Sequence, residues 1–268
     1  MKDSLLKDVI EIAQSAGEMA LDYFNNGYKT MKKGKNDVVT EADLAVDNFL
    51  NRELLKLVPE AGWLSEETKD DFSRLTKDKI WIIDPIDGTY QFTKGTNEWV
   101  VSIALIDNSL KQPILGVIYN PLLKELYSTE LNKGVFLNGK KIEKINLKGK
   151  KNLTTTRSKR NLLNVVKNGL RKNHDIKQVG SIAYILALTA SRINDAFITY
   201  KKVNEWDIAA GFLLLKEAGG SMNVLCNKRS EYLNENHEIS FNKKDVEYKG
   251  IYGAHGDYYK QFEDLIFN

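Results

Sequence analysis

From Ile80 onward the chain lays down "IWII", "WVVSIALID", "PILGVIYNP" and "ELYSTE" in succession, runs of Val, Ile and aromatic residues parted by Asn, Gly and Pro. Runs of that length between turn residues predict strands, and their close succession predicts an antiparallel sheet at the centre of the first half of the chain. "NKGVFLNGK" predicts one more strand with turns at both ends. Two helices come first. Leu5, Leu6, Val9, Ile12, Ala13, Ala16, Met19, Ala20 and Tyr23 recur at helical spacing and predict an amphipathic helix over residues 3–25. The second helix is capped by the Thr40 hydroxyl and runs through "EADLAVDNFLNRELLKLV" to Pro59. "AGWLSEET" reads as a short strand and turn, and "DDFSRLTKDK" as a polar surface loop.

Past a basic stretch near Lys148 the pattern changes to alternating strands and helices. "LTTTRS" and "DAFITY" predict strands, and "NLLNVVKNGLRKN" and "SIAYILALTAS" predict helices. "EWDIAAGFLLLKEAGG" predicts a buried helix stopped at Gly219–Gly220, because glycine readily takes the left-handed conformation that ends a helix. The organisation expected is an N-terminal α+β lobe over 1–148 and a C-terminal α/β lobe over 149–268.

Composition narrows the chemistry. A formal charge of +3 from 39 basic and 36 acidic residues gives no footprint for a nucleic-acid polymer. The single cysteine, Cys226, allows no internal disulfide, fits a reducing compartment and reads as a small apolar filler. With no second cysteine and only His174, His237 and His255, any metal would be held by carboxylates, which favours a hard cation such as magnesium. The apolar residues of the first helix are interrupted by Asp8, Glu11 and Glu18, so it lacks a signal-peptide core. No run reaches the roughly 18 apolar residues of a membrane span. The expected location is the cytoplasm.

The stretch "WIIDPIDGTYQF" ends a buried strand on Asp84, turns at Pro85 and places Asp87 and Gly88 before a segment able to open a helix. Two carboxylates beside the first amides of a helix can hold a cation and a phosphate together. Taken alone, these residues fit a capped turn equally well.

"WLSEET", "WIIDPIDGT" and "EWDIAAGFLLLKEAGG", in that order, resemble the lithium-sensitive, magnesium-dependent phosphomonoesterases of the inositol monophosphatase superfamily. The resemblance implies a layered α/β (α+β) helix–sheet sandwich and a phosphatase with two or three Mg2+ ions per site. It implies metal ligation by Glu66, Asp84, Asp87, Asp207 and the carbonyl of Ile86, with Glu67 in support. Glu66, Thr89 and Asp43 would carry the catalytic proton transfers, although Asp43 also sits where an acid caps a helix. Gly88, Thr89, Gly180, Ser181, Tyr200 and Asp207 would contact the substrate. Lithium inhibition and a homodimer are further implications, with a small phosphate ester as the only expected ligand besides metal.

Within the superfamily, Lys94, Glu98 and Trp99 fall where the 3′(2′),5′-bisphosphate nucleotidase branch has a lysine, a glutamate and an aromatic residue. "TTTRSKR" resembles that branch's "SRSH" segment, with Lys159 in place of the histidine. Tyr200 stands where animal inositol monophosphatases place a sugar-binding glutamate. Lys201 and Lys202 could face a second phosphate or simply solvent. The expected substrate is therefore 3′-phosphoadenosine 5′-phosphate, with inositol 1-phosphate or another small sugar or histidinol phosphate as the alternative. A non-catalytic phospholigand-binding relative is the remaining reading, and the complete set of acids speaks against it.

Overall fold

The computed structural model describes residues 4–34, 38–143, 151–167, 169–225 and 238–267. The first half contains α1 (Ser4–Asn26), β1 (Thr30–Lys32), β2 (Val38–Thr40), α2 (Glu41–Leu57), β3 (Gly62–Ser65), β4 (Lys79–Asp87), α3 (Thr89–Thr93), β5 (Val100–Asp107), β6 (Gln112–Asn120), β7 (Glu125–Glu130), β8 (Gly134–Leu137) and β9 (Lys140–Lys141). Then come β10 (Lys151–Thr156), α4 (Lys159–Lys167), β11 (His174–Val179), α5 (Ile182–Ala190), β12 (Ala196–Thr199), β13 (Val203–Asn204), α6 (Glu205–Glu217), β14 (Gly220–Val224), β15 (Glu247–Tyr248), β16 (Ile251–His255) and α7 (Gly256–Phe267).

Strands β3 to β9 form one seven-stranded sheet in sequence order. It is antiparallel except at β3–β4, which run parallel because the connection between them crosses back over residues 66–78. Strand β4 shows why the sheet must be covered on both sides. Ile80 and Ile82 point into one core and Trp81 and Ile83 into another, as a period of two requires. Helices α1 and α2 close the second of these faces through Val9, Ala13, Ala16, Val46 and Leu50. Helices α5 and α6 close the other, between this sheet and a five-stranded sheet of order β11-β10-β12-β16-β14.

A helix buried all round must be apolar all round. Every residue of α5 is buried, and α6 exposes little beyond its polar ends. The two helices touch so closely that a Cβ on Gly211 would lie 2.4 Å from the Leu186 Cβ. Beyond the second sheet, α4 and α7 cover its outer face through Val165, Tyr258 and Phe262. The result is the expected layered sandwich, helix–sheet–helix–sheet–helix.

Several sequence expectations are corrected. Residues 70–76 are no simple polar loop: a 3₁₀ turn over Ser73–Thr76 buries the Arg74 side chain completely. The helix expected through Asn173 stops at Lys167, and a 3₁₀ turn over Leu170–Lys172 leads into the unanticipated edge strand β11. From Gly220 on, where the sequence pattern predicts no element, the chain supplies β14, β15, β16 and α7. Cys226, His237, the basic stretch at Lys148 and the lobe boundary at 148/149 lie outside the described residues. His174 is buried, with Nδ1 2.7 Å from the Leu170 carbonyl and Nε2 2.7 Å from the Tyr258 hydroxyl, which ties α7 to the strand it covers. No helix among the described residues is long and apolar enough to cross a membrane.

Candidate active site

Strand β4 carries two of the acids, and it is bent to do so. Asp84 pairs with Ser102 and Asp87 with Val100, so β4 spends one more residue than β5 over this span, a β-bulge. Pro85 lies inside it, where a residue without an N–H removes a rung of the ladder. The Ile86 N–H turns back to the Asp84 carboxylate, 3.1 Å from Oδ1. Asp84 Oδ2 is buried and has no hydrogen-bond partner among the described residues. Gly88 follows at φ 103°, where an added Cβ would lie 2.7 Å from the Glu98 carbonyl oxygen. Only glycine meets both conditions.

Two helix caps position two more acids by the same device. At α2, Asp43 Oδ2 accepts from the Thr40 N–H at 2.7 Å and the Thr40 hydroxyl at 2.6 Å. Its Oδ1 accepts from the Thr89 hydroxyl at 3.0 Å. Capping and contact with Thr89 thus coexist on one carboxylate. The single Thr89 proton has a second acceptor in reach, the Ile86 carbonyl at 3.1 Å. At α6, Asp207 Oδ2 accepts from the Asn204 N–H at 2.6 Å. Both acids occupy the third helical position, where a carboxylate reaching back to the cap residue is locally stable. Each helix start therefore fixes a side chain that faces the site.

One carboxylate oxygen from each of Glu66, Asp84 and Asp207 lies within 4.8 Å of the other two. Asp87 is not in that trio. Its Oδ2 is held by the Ser181 hydroxyl at 2.7 Å and by the Ala183 N–H, which locks β4 onto the start of α5. Ser181 serves twice, since its oxygen also caps α5 by accepting from the Tyr184 N–H at 3.0 Å. Glu67 is bridged to Glu66 by one ammonium: its buried carboxylate holds Lys33 Nζ at 2.6 Å, and the same Nζ reaches Glu66 Oε1 at 3.3 Å.

The charges are poorly compensated by the protein itself. Burial, and then repulsion from Glu66, Asp87 and Asp207, hold the Asp84 carboxyl well above the usual carboxylate range. Asp207 is raised well above it by burial and by Asp87 and Glu66. Burial raises Glu66 against the pull of Lys33, and raises Asp87 to about 7 against the hydrogen bond from Ser181. Glu67 is pushed to about 7, also by burial. Burial alone would lower Lys33, but the two glutamates raise it.

A divalent cation fits this arrangement. The donors are all oxygens, the trio is close enough to share ions, and Asp84 Oδ2 is a buried oxygen without a hydrogen-bond partner among the described residues that a cation would satisfy. A pH-dependent stability follows. Acids whose folded pKa is raised contribute stability that is complete below their unfolded values, near 4, and is lost as pH rises through about 7. Mg2+ needs the deprotonated forms, so its stabilising effect grows over the same window. In thermal melts the gain in Tm from Mg2+ is expected to be larger at pH 8 than at pH 5. Equal gains at both would contradict the assignment.

Of the other residues singled out in the sequence, Gly180 sits against Gln91 so tightly that a Cβ would meet the Gln91 side chain at 2.0 Å. Tyr200 follows β12 and packs half-buried against the outer core. Trp99 is wholly buried against Phe24 and Phe92 and is a core residue. Lys94 lies over the Tyr90 ring. Lys202 pairs with Glu247, and the charge of Lys201 is felt by Asp207. Lys33, Ala183 and the two contacts of Glu98 described below had no signal in spacing or hydropathy.

The layered sandwich gathers carboxylates from both halves of the chain into one cluster able to hold a metal ion, as in the metal-dependent phosphatases. The chain belongs to the inositol monophosphatase family, whose model it matches over residues 1–257. It is 34% identical over 230 residues to inositol monophosphatase 3 of Solanum lycopersicum, covering 81% of this chain and 85% of that protein. It is 33% identical over 246 residues to the 3′(2′),5′-bisphosphate nucleotidase CysQ of Aggregatibacter actinomycetemcomitans, covering 87% and 91%. The fold superposes on the extragenic suppressor protein suhB from Bartonella henselae with TM-score 0.82 and 25% identity, over 98% of each chain. The protein is accordingly a hydrolase of small phosphate monoesters.

Proposed function

We propose that the chain is a Mg2+-dependent 3′(2′),5′-bisphosphate nucleotidase, converting 3′-phosphoadenosine 5′-phosphate to AMP and phosphate. The observation that carries the chemistry is the convergence of carboxylate oxygens of Glu66, Asp84 and Asp207, beside a buried Asp84 oxygen without a hydrogen-bond partner among the described residues. With Asp87 and the Ile86 carbonyl, these residues would hold the magnesium ions. Bound there, Mg2+ supplies charge compensation and Lewis acidity toward the phosphate ester and the attacking water. Li+ in the same place brings half the charge, so excess lithium is expected to inhibit.

The protein's own part is to move a proton and orient the ester. Thr89 donates its proton to Asp43 Oδ1, which leaves its oxygen lone pairs for a water. Burial raises the Asp43 carboxyl despite its bonds to Thr40, so it is a better base than an exposed aspartate. A water proton can pass to Thr89 as the Thr89 proton passes to Asp43. Glu66 is the second acceptor in reach of the cluster. The Gly88 and Thr89 amides and the Gly180–Ser181 turn would receive the ester. Thr89→Val keeps the shape and removes the relay. It is expected to lower kcat about 100-fold, while the Mg2+ effect on Tm stays at the wild-type value. An unchanged kcat would remove Thr89 from the proton path.

The substrate assignment rests on the segments that resemble the nucleotidase branch, two of which meet in space: Glu98 pairs with Arg157 of "TTTRSKR". Comparable identity to an inositol monophosphatase supports inositol 1-phosphate as the second reading. The deciding experiment compares kcat/KM for 3′-phosphoadenosine 5′-phosphate and inositol 1-phosphate in one Mg2+ assay. A preference of tenfold or more for the nucleotide (about 1.4 kcal/mol) is expected. A preference for the inositol ester would reverse the assignment.

A further inference from the structure

Glu98, in the turn before β5, falls where the nucleotidase branch has a glutamate, and its carboxylate is fully engaged within the protein. Oε2 accepts from the Gly180 N–H at 2.9 Å and from Arg157 Nε at 3.1 Å, and Oε1 accepts from Arg157 Nη2. The same Nη2 also donates to the Gln178 carbonyl at 3.0 Å, and the Arg157 N–H donates to the Val179 carbonyl at 2.9 Å. Arg157 thus sits just past the end of β10 and is fastened to the end of β11. Glu98, attached to the other sheet, reaches across to it.

The residues clamped by this bridge lead straight to the site. Gly180 is held from one side by Glu98 and from the other by Gln91 of α3. Ser181 follows and donates to Asp87, and Ala183 supplies the second donor to the same oxygen. The backbone carbonyl of Glu98 presses on Gly88, the residue after Asp87. One glutamate therefore fixes both the turn that grips Asp87 and the glycine that follows it.

We infer that Glu98 and Arg157 are positioning residues: their bidentate pair holds the Gly180–Ser181 turn at the depth where Asp87 would face the divalent cations held by the acidic cluster. A half-exposed ion pair contributes little to global stability. Its effect falls on the geometry of the carboxylate it steadies through the turn, as partners outside a ligand set do. The inference rests on the metal reading of the acidic cluster.

The test is a calorimetric titration of the metal-free protein with MgCl2 alone, on wild type, Glu98→Gln, Arg157→Gln and the double variant, with kcat and KM for 3′-phosphoadenosine 5′-phosphate measured alongside. Each single variant is expected to lose about 10-fold in Mg2+ affinity. The kcat at limiting Mg2+ should fall with it and KM should change little. The double variant should be no worse than Glu98→Gln, because both substitutions break one bridge. Arg157→Gln alters an exposed side chain, so it keeps the test open if Glu98→Gln does not fold. Mg2+ titrations of both single variants superimposable on wild type would overturn the inference. So would a change confined to KM, which would mark Glu98 and Arg157 as substrate contacts. A wild-type protein that takes up no Mg2+ would instead overturn the metal reading on which the inference stands.

Discussion

Asp84→Asn is expected to lower kcat by about 1,000-fold or more and to leave the metal-free protein at least as stable as wild type. The activity loss follows from the place of Asp84. It is the buried member of the acidic trio, and its Oδ2 has no hydrogen-bond partner among the described residues, so a cation there would be well placed to satisfy it. An amide there keeps the acceptor for the Ile86 N–H but withdraws a negative charge from the cations. Loss of several kcal/mol of electrostatic stabilisation corresponds to three or more orders of magnitude in rate. The stability follows from the same charge. Burial and neighbouring carboxylates already push Asp84 toward its neutral form, so a neutral isostere relieves repulsion in the absence of metal. Melts in EDTA and in Mg2+ check both halves: the variant should match or exceed wild type in EDTA and lose most of the Mg2+ gain. Sites built for function commonly carry this trade against stability.

Arg74→Ala is expected to cause the largest loss of stability, about 3–5 kcal/mol, the range for breaking a buried charge network from one side. The guanidinium is wholly buried. It donates to Asp70 at 2.8 Å, to Asn242 Oδ1 at 2.6 Å and to the Lys243 carbonyl at 2.9 Å. Asn242 and Lys243 in turn donate their N–H groups to the buried Glu205 at 2.7 and 3.0 Å. Burial pushes the Glu205 carboxyl to about 7 against these amides and the Arg74 charge. Removing Arg74 strands several polar groups at once. Because Glu205 opens α6, two residues before Asp207, a loosened network should weaken Mg2+ binding as well. Arg74→Lys should rescue little, since one ammonium cannot replace a planar fork with three acceptors. Chemical denaturation measures the effect, and a loss below about 1 kcal/mol, the level of a surface pair, would contradict the role given to Arg74.

These two residues also show what could be read from sequence and what could not. Asp84 stands out only in company: its own stretch fits a capped turn equally well, and it is the ordered recurrence of acids in "WLSEET" and "EWDIAAGFLLLKEAGG" that marks it. The α2 cap and the buried apolar run of α6 are plain in sequence, because periodicity and capping chemistry are local. Arg74 gave the opposite impression. It lies among Asp70, Asp71, Ser73 and Thr76, and hydropathy reports such a stretch as surface. Its burial depends on acceptors at Asn242 and Lys243, far along the chain, and spacing carries no record of a partner that distant. Glu98 and Arg157 stand in two separate segments that resemble the nucleotidase branch, and the structure pairs them with each other. Trp99 resembled a branch marker and filled the core. The parallel pairing of β3 with β4 and the edge strand β11 depend on tertiary placement of short segments with weak patterns of their own.

The central claim is that Glu66, Asp84 and Asp207 share divalent cations. The most direct measurement is the anomalous difference density of a crystal soaked in Mn2+, which takes the same hard-oxygen sites as Mg2+. Strong peaks within coordinating distance of all three carboxylates, lost in a crystal of Asp84→Asn, are predicted. Density elsewhere on the molecule, with those three carboxylates left without an ion, would contradict the account.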